Sequence, residues 1–241
     1  MKWRRYKEGC GYSYVFGAFP TMELVETRPE VIVEILVLEK FQDRKYLQIL
    51  EEKKIPWRYD DRTIHRLANK GNIYIVGVFR TYLDPVLDGN HVLCHEIGDM
   101  GNLGNICRTL LAMGIKDLVT ISNSCDIYDP RSIRASMGAF FHLRYSHYDS
   151  IEAYLKDFPN QKLYSFLLDE RAEKLPAVEV QKPWSLVFGN ESRGLPPSFS
   201  NLGKSIFIPQ SDLVDSFNIT TAVAIALYQF QMLGEEYGSI H

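Results

Sequence analysis

Ser185-Leu186-Val187-Phe188-Gly189-Asn190-Glu191-Ser192-Arg193-Gly194-Leu195 joins a fully apolar run to a polar turn bracketed by two glycines. The run is too short for a helix and reads as a strand buried on both faces, as in a parallel sheet. The glycines permit positive φ and close backbone approach to a ligand. Glu191 between them is either a solvent-exposed turn acid or a buried acceptor that holds neighbouring N–H groups, and the sequence leaves both open. Two further segments share this design. Asn102-Leu103-Gly104-Asn105-Ile106-Cys107-Arg108 follows an apolar run and opens a helix. Ile208-Pro209 precedes Ser216-Phe217-Asn218, at the start of the last helix. Together the three supply backbone N–H groups, side-chain amides, a carboxylate and a guanidinium, which suits a bound small molecule beside a phosphate.

Outward from these loops, strands and helices alternate. Strands are expected at His91–His95, Asp117–Ile121, Leu163–Leu168, Ser185–Phe188 and Ser205–Ile208. Helices are expected over Leu103–Met113, around Ile133–Met137, from Ser150, and over Ile219 to about Leu233. The pattern predicts an α/β fold with a mostly parallel sheet covered on both faces. Before it stands a smaller α/β unit ending near Tyr82. Its expected elements are a strand at Val31–Leu38, a helix carrying Leu47 and Leu50, a short helix capped by Asp60 or Asp61, and a strand at Ile73–Phe79, after a turn at Lys70-Gly71-Asn72. Leu83 to Asn90, with its Pro and Asp-Gly, reads as a linker. The expected organisation is therefore residues 1–82, a linker at 83–90, and residues 91–241.

The net charge of −3 hides a division. Residues 1–82 carry 15 Lys and Arg against 11 Asp and Glu, and residues 83–241 carry 12 against 19. The basic part points to a polyanion, the acidic part to another task. Four scattered cysteines and six histidines show no metal-ligand spacing, so no metal is expected. No apolar run is long enough to span a bilayer, and no apolar stretch follows the basic start, so the expected place is the cytoplasm, away from membranes.

Gly98, Gly101 and Gly104 have the wrong spacing for a dinucleotide fingerprint. The loop still puts N–H groups at a helix N-terminus, which favours an anion, with Asn102 where a cap would sit. Ser216 and Asn218 compete as caps of the last helix. No G-x-S-x-G elbow surrounds Ser216, so it is not read as a hydrolytic nucleophile.

The ordered motifs Asn102-x-Gly104-x-x-x-Arg108, Phe188-Gly189-Asn190-Glu191-x-x-Gly194-Leu195, and Ile208-Pro209 with Ser216-x-Asn218 closely resemble those of the SpoU-type (TrmH-like) RNA 2'-O-ribose methyltransferases of the SPOUT superfamily. Ile133-Arg134-Ala135-Ser136-Met137-Gly138-Ala139-Phe140-Phe141 resembles the segment between the first two motifs, and residues 10–82 a small RNA substrate-binding domain. The resemblance implies a C-terminal SPOUT trefoil-knot domain, S-adenosyl-L-methionine as cofactor, and a homodimer packed through the knotted domain with the active site near the interface. It implies methyl transfer to a ribose 2'-hydroxyl of rRNA or tRNA, with rRNA favoured. The alternative is a non-catalytic RNA-binding or assembly protein that keeps the fold. Matching catalytic positions are Arg108, Asn102, Glu191, Ser216 and Asn218; cofactor positions are Leu168, Gly189, Asn190, Ile208 and Phe217. Phe217 replaces a usual Leu and Asn105 a small residue, and neither change removes a reacting group. RNA contacts are expected from Lys2, Arg4, Arg5, Arg58, Arg62 and Arg66, with Trp3, Tyr6, Trp57 and Tyr59 between them.

Overall fold

Apolar β-branched runs bounded by turn residues become the strands, and helices with one apolar face cover them. A computed structural model of the chain describes residues 3–68, 72–169 and 171–233. Lys2 and the Lys70-Gly71 part of the expected turn lie outside these residues. In chain order the first elements are β1 (Tyr12–Phe16), α1 (Ala18–Thr27), β2 (Ile32–Val37), α2 (Arg44–Glu52), β3 (Trp57–Tyr59), α3 (Asp61–Leu67) and β4 (Ile75–Arg80). Then come β5 (His91–His95), α4 (Met100–Ala112), β6 (Asp117–Ile121), α5 (Pro130–Ser136), β7 (Arg144–Tyr148) and α6 (Ile151–Asp157). The chain continues through β8 (Lys162–Phe166), β9 (Glu173–Lys174), β10 (Trp184–Phe188), β11 (Lys204–Phe207) and α7 (Ile219–Leu233).

Two units form. The first comprises Met1–Tyr82 together with Asp126–His142, and the second Leu83–Cys125 with Leu143–His241. The first holds a four-stranded sheet in the order β1-β4-β2-β3, where β4 runs antiparallel to β1 and β2. Asp60, not Asp61, caps α3, accepting from the Thr63 N–H at 2.9 Å. The stretch 126–142 comes from the later part of the sequence yet packs here. Gly138, at φ +91°, lies so close to α1 that a Cβ would stand 2.7 Å from Glu23 Cβ. His142 Nε2 bonds Glu23 Oε2 at 2.7 Å, and Phe141 meets Phe79 edge-on.

The second unit is a seven-stranded, wholly parallel sheet in the order β7-β6-β5-β10-β8-β11-β9. Central β5, β6 and β10 are buried at every position, their apolar middles interrupted only by polar groups such as His91, Asp117 and Ser185. β7, Arg-Tyr-Ser-His-Tyr, is polar and was not expected as a strand; Arg144 ties it to β6 through Asp117 at 2.7 and 2.5 Å. The expected linker is fastened to this unit: Tyr145 N–H donates to Asp84 O, Val86 N–H to Ser146 Oγ, and Leu87 N–H to Asp117 Oδ1. Among the described residues no helix is long and apolar enough to cross a membrane.

Candidate active site

β5, β6 and β7 step outward in one direction, whereas β8 returns to the other side of β5, with β10 between them. Such a reversal opens a crevice at the carboxyl ends of parallel strands. A cavity lies beside that point, at the carboxyl ends of β8, β10 and β11. It measures about 750 Å³ and is lined by the chain leaving β8, β10 and β11 and by the segment entering α7. Phe166 and Phe188, at the ends of β8 and β10, stack with centroids 4.5 Å apart and planes within 9°. That pair, worth about 1 kcal/mol beyond its burial, was not singled out from the sequence. Nothing local marks two strand-ending phenylalanines as neighbours.

Leu168, Gly189, Asn190, Ile208 and Phe217 all line this cavity, and so do Glu191 and Ser216. Gly189 is also needed by the loop itself. A Cβ there would lie 2.2 Å from Gly194 C and 2.3 Å from Leu195 N, so the loop closes on its own backbone. Gly194 takes the positive φ, +66°. Asn190 holds the turn: its Oδ1 accepts from Ser192 and Arg193 N–H at 3.0 and 3.1 Å, while Nδ2 donates to Glu96 O at 2.9 Å.

Glu191 joins the three motif segments. Its carboxylate accepts from the N–H groups of Gly98 and Asp99, both at 3.3 Å, and from Asn102 Nδ2 at 3.1 Å. Asn102 Oδ1 in turn accepts from Asn218 Nδ2 at 3.3 Å. Of the two readings left open by the sequence, the structure has the acceptor. Asn218 also caps α7, accepting from Thr220 N–H at 2.8 Å, which decides between it and Ser216. A residue that sequence reasoning missed secures the same segment: Gln210 Oε1 accepts from Phe217 N–H and its Nε2 donates to Asp215 O.

Two expectations for α4 are corrected. The helix begins at Met100 and its cap is Asp99, whose carboxylate accepts from Asn102 N–H at 2.7 Å. Asn102 sits one turn inside, so its amide is available to Glu191 and Asn218. The N–H groups expected to be free for an anion are instead met by two protein carboxylates, which suit a helix N-terminus. Arg108 lies about 9 Å further along α4. It is exposed, lies outside the cavity lining, and makes no ion pair or hydrogen bond among the described residues. Ser216 is also exposed and without a hydrogen-bond partner among them.

The basic residues of the first unit are unequal. Arg58 is committed to Glu34 at 2.8 Å and Asp60 at 2.5 Å. Arg66 donates to Trp3 O at 2.7 Å. Trp3 is 5% exposed and its indole N–H is bonded to Glu34, so it belongs to the core and offers no face for stacking. Arg4, Arg5 and Arg62 are exposed, as is Tyr59, and Trp57 packs edge-on against that ring. Among the described residues no group of three or more His, Cys, Asp or Glu is placed to hold a metal ion.

A family model described as the SpoU rRNA Methylase family matches residues 89–228, more than half of the chain and every motif segment above. This chain belongs to the SpoU family. Among its relatives, the 23S rRNA (guanosine-2'-O-)-methyltransferase RlmB of Acinetobacter baylyi is 24% identical over 239 residues, covering 90% of this chain and 95% of that protein. An uncharacterized tRNA/rRNA methyltransferase of Synechocystis is 29% identical over 140 residues; these are 57% of this chain and only 51% of the relative's length. The crystal structure of the SpoU methyltransferase AviRb from Streptomyces viridochromogenes, in complex with AdoMet, superposes with a TM-score of 0.78 over 91% of this chain and 89% of that one. At 23% identity this likeness is one of fold, and the SpoU fold is the mixed α/β architecture expected from the sequence.

Proposed function

We propose that this SpoU-family protein transfers a methyl group from S-adenosyl-L-methionine to a ribose 2'-hydroxyl of RNA, with ribosomal RNA as the favoured substrate. The observation that carries the proposal is the Asn218–Asn102–Glu191 chain, which draws three distant motif segments together beside one cavity. RNA as substrate is supported by the names of the relatives, including RlmB of Acinetobacter baylyi and the 23S rRNA (guanosine(2553)-2'-O)-methyltransferase RlmP of Bacillus subtilis.

The cavity fits the cofactor. Its volume lies in the small-ligand range, and its lining sets apolar side chains such as Phe188 and Ile206 beside glycines and polar groups, the mixture an adenosine and an amino-acid tail need. Leu168, Gly189, Asn190, Ile208 and Phe217 would hold the molecule, the Phe217 ring and backbone against the adenine. When bound, the cofactor supplies a methyl group on a sulfonium, already activated for displacement. Glu191 has three donors on its carboxylate, so it braces the loops rather than taking a proton. Arg108 is charged at neutral pH and makes a poor base. Its guanidinium instead binds the RNA phosphate and stabilises the developing alkoxide, while the proton passes to that phosphate or to water. Ser216 and Asn218 orient the ribose, and Asn102 fixes Asn218.

The C-terminal segment, with β10 inserted between β5 and β8 and α7 packed on α4, is proposed to thread the trefoil knot of the family. We also propose a homodimer through this unit, with residues 1–82 gripping RNA first, acting in the cytoplasm. Arg108→Lys tests the mechanism, with cofactor binding followed by calorimetry and methylation by tritium transfer to ribosomal RNA lacking the modification. Methylation should fall about 100-fold, with cofactor affinity and melting temperature unchanged. Near-normal turnover would refute the requirement for a guanidinium.

A further inference from the structure

The first unit contains a second hollow, which the methyl-transfer chemistry leaves unused. It is about 300 Å³ and is assembled from stretches far apart in sequence: Arg5 and Tyr6 before β1, Tyr14 and Phe16 on β1, and Arg131 and Arg134 on α5. The last two belong to the part of the chain matched by the methylase family, yet here they complete a surface of the other unit. Three guanidinium groups meet one carboxylate, Asp129, in the lining. That carboxylate is already spent, receiving Arg131 Nε and Nη2 at 2.9 and 2.8 Å. Arg134 is exposed, and its guanidinium has no hydrogen bond or ion pair among the described residues.

The rest of the lining is aromatic or apolar. Tyr14 and Phe16 lie 6.2 Å apart, and the Tyr14 hydroxyl is occupied by Arg4 O. Tyr6 is held by its hydroxyl on the Asp126 carboxylate, which fixes the ring at the wall. An apolar, aromatic hollow under an arginine rim has the chemistry that single-stranded nucleic acid requires: a flat face for an unstacked base and cations for the phosphates beside it. Cations at a concave, low-dielectric wall also concentrate the field. A buried carboxylate pair or an apolar patch alone would favour neither.

We infer that this cleft seats one unstacked nucleotide of the RNA substrate, its base against the half-buried rings of Tyr6 and Phe16, with Tyr14 buried behind them, and its flanking phosphates on Arg5 and Arg134. The inference rests on RNA being the substrate. The test uses the full-length protein and a fluorescein-labelled single-stranded RNA oligomer of mixed sequence, followed by anisotropy across a salt series. Arg134→Glu should weaken binding about 10-fold and lower the slope of log affinity against log salt by about 1. Arg134→Lys should keep the slope. Calorimetric titration with S-adenosylmethionine should give the wild-type constant for both variants, which also establishes that they fold. Wild-type affinity and slope in both Arg134→Glu and Arg5→Glu would overturn the cleft assignment alone. Equal affinity for a duplex of the same sequence would overturn the unstacked base, and displacement of the oligomer by adenosine monophosphate at lower concentrations than by unlabelled oligomer would make the cleft a free-nucleotide site. No RNA binding by the wild-type chain at any salt would end both this inference and the RNA reading beneath it.

Discussion

The cavity of the second unit and the cleft of the first use polar groups in opposite ways. Around the cavity of the second unit, the amides and the carboxylate are consumed by each other: Asn190 by its own turn, Glu191 by α4, Asn102 and Asn218 by one another. Around the cleft of the first unit, Arg134 is left facing solvent. The difference fits the ligands proposed. A small molecule gains from a cradle whose geometry is fixed before it arrives. A polyanion gains from charge that stays hydrated until a phosphate displaces the water and counterions.

The cradle should break most severely at Gly189. Alanine there would place its Cβ 2.2 Å from Gly194 C, backbone against backbone with no side chain to yield. The expected loss is at least about 4 kcal/mol in denaturant unfolding, the range of overpacked or strained sites, with no heat of cofactor binding. Gly138→Ala gives the contrast within the first unit. Its φ of +91° is strained for alanine, and the new Cβ would stand 2.7 Å from Glu23 Cβ, which the α1 backbone holds in place. About 2–4 kcal/mol should be lost there too, but with cofactor affinity intact. Equal effects on cofactor binding at the two positions would erase the distinction.

Carboxylates give a milder version of the same comparison. Glu191→Gln replaces an acceptor facing two backbone N–H groups and one amide with a group that is half donor, at exposed and half-buried positions. About 0.5–1.5 kcal/mol should be lost in denaturant unfolding, and calorimetry should show weaker cofactor binding. Glu34 also serves two donors, Trp3 Nε1 and Arg58. Glu34→Gln should lower stability and leave cofactor affinity as it was.

What the sequence disclosed follows the same line between local and distant causes. β10 and β5 were legible because burial on both faces demands mostly apolar runs, as in Leu186-Val187-Phe188 and Val92-Leu93-Cys94. The α7 boundaries were legible too, since Asn218 begins the helix and the apolar face runs on behind it. β1, Tyr-Ser-Tyr-Val-Phe, has strong strand propensity and was overlooked inside a glycine-rich stretch. β7 was hidden because its polar residues suit an edge, and only the Arg144–Asp117 pair explains it. At the site, the motif residues could be named from their order, but their roles could not. That Glu191 fills the α4 N-terminus depends on contacts across about 90 residues of chain, whereas the Asp99 cap is a local contact that the sequence could have yielded. Likewise no count of arginines separates Arg58, spent on Glu34 and Asp60, from Arg134.

That last pair yields a smaller effect. Arg58→Ala should cost about 1 kcal/mol, since two partly buried carboxylates lose their partner in a half-exposed network. It should leave the salt slope of RNA binding unchanged, because its charge is already neutralised within the unit. Arg134→Ala should do the reverse, with unfolding midpoint preserved and the slope reduced. A stability loss at Arg134, or a slope change at Arg58, would mean that the wrong arginine has been assigned to the RNA.

The smallest expected effect concerns protons, and it again belongs to the unit that keeps its polar groups inside. His91 and His95 stand at the two ends of β5, both buried. His91 Nε2 lies 2.6 Å from Leu87 O and Nδ1 2.6 Å from the Tyr154 hydroxyl, so the neutral ring donates from Nε2 and accepts at Nδ1. Loss of hydration on burial holds both rings below the ordinary histidine value. The unfolded chain then binds more protons than the folded one between the lowered values and about pH 6.5. Stability therefore rises with pH through that window, is fully present above it, and is lost as the solution is acidified. Melting followed by circular dichroism should show a lower midpoint at about pH 5.5 than at about pH 7.5. The His91→Gln/His95→Gln double variant, though less stable throughout, should show a smaller difference between the two. An undiminished difference in that variant would place the titrating groups elsewhere in the chain, and β5 would no longer count among the elements whose polar ends are kept from the solvent.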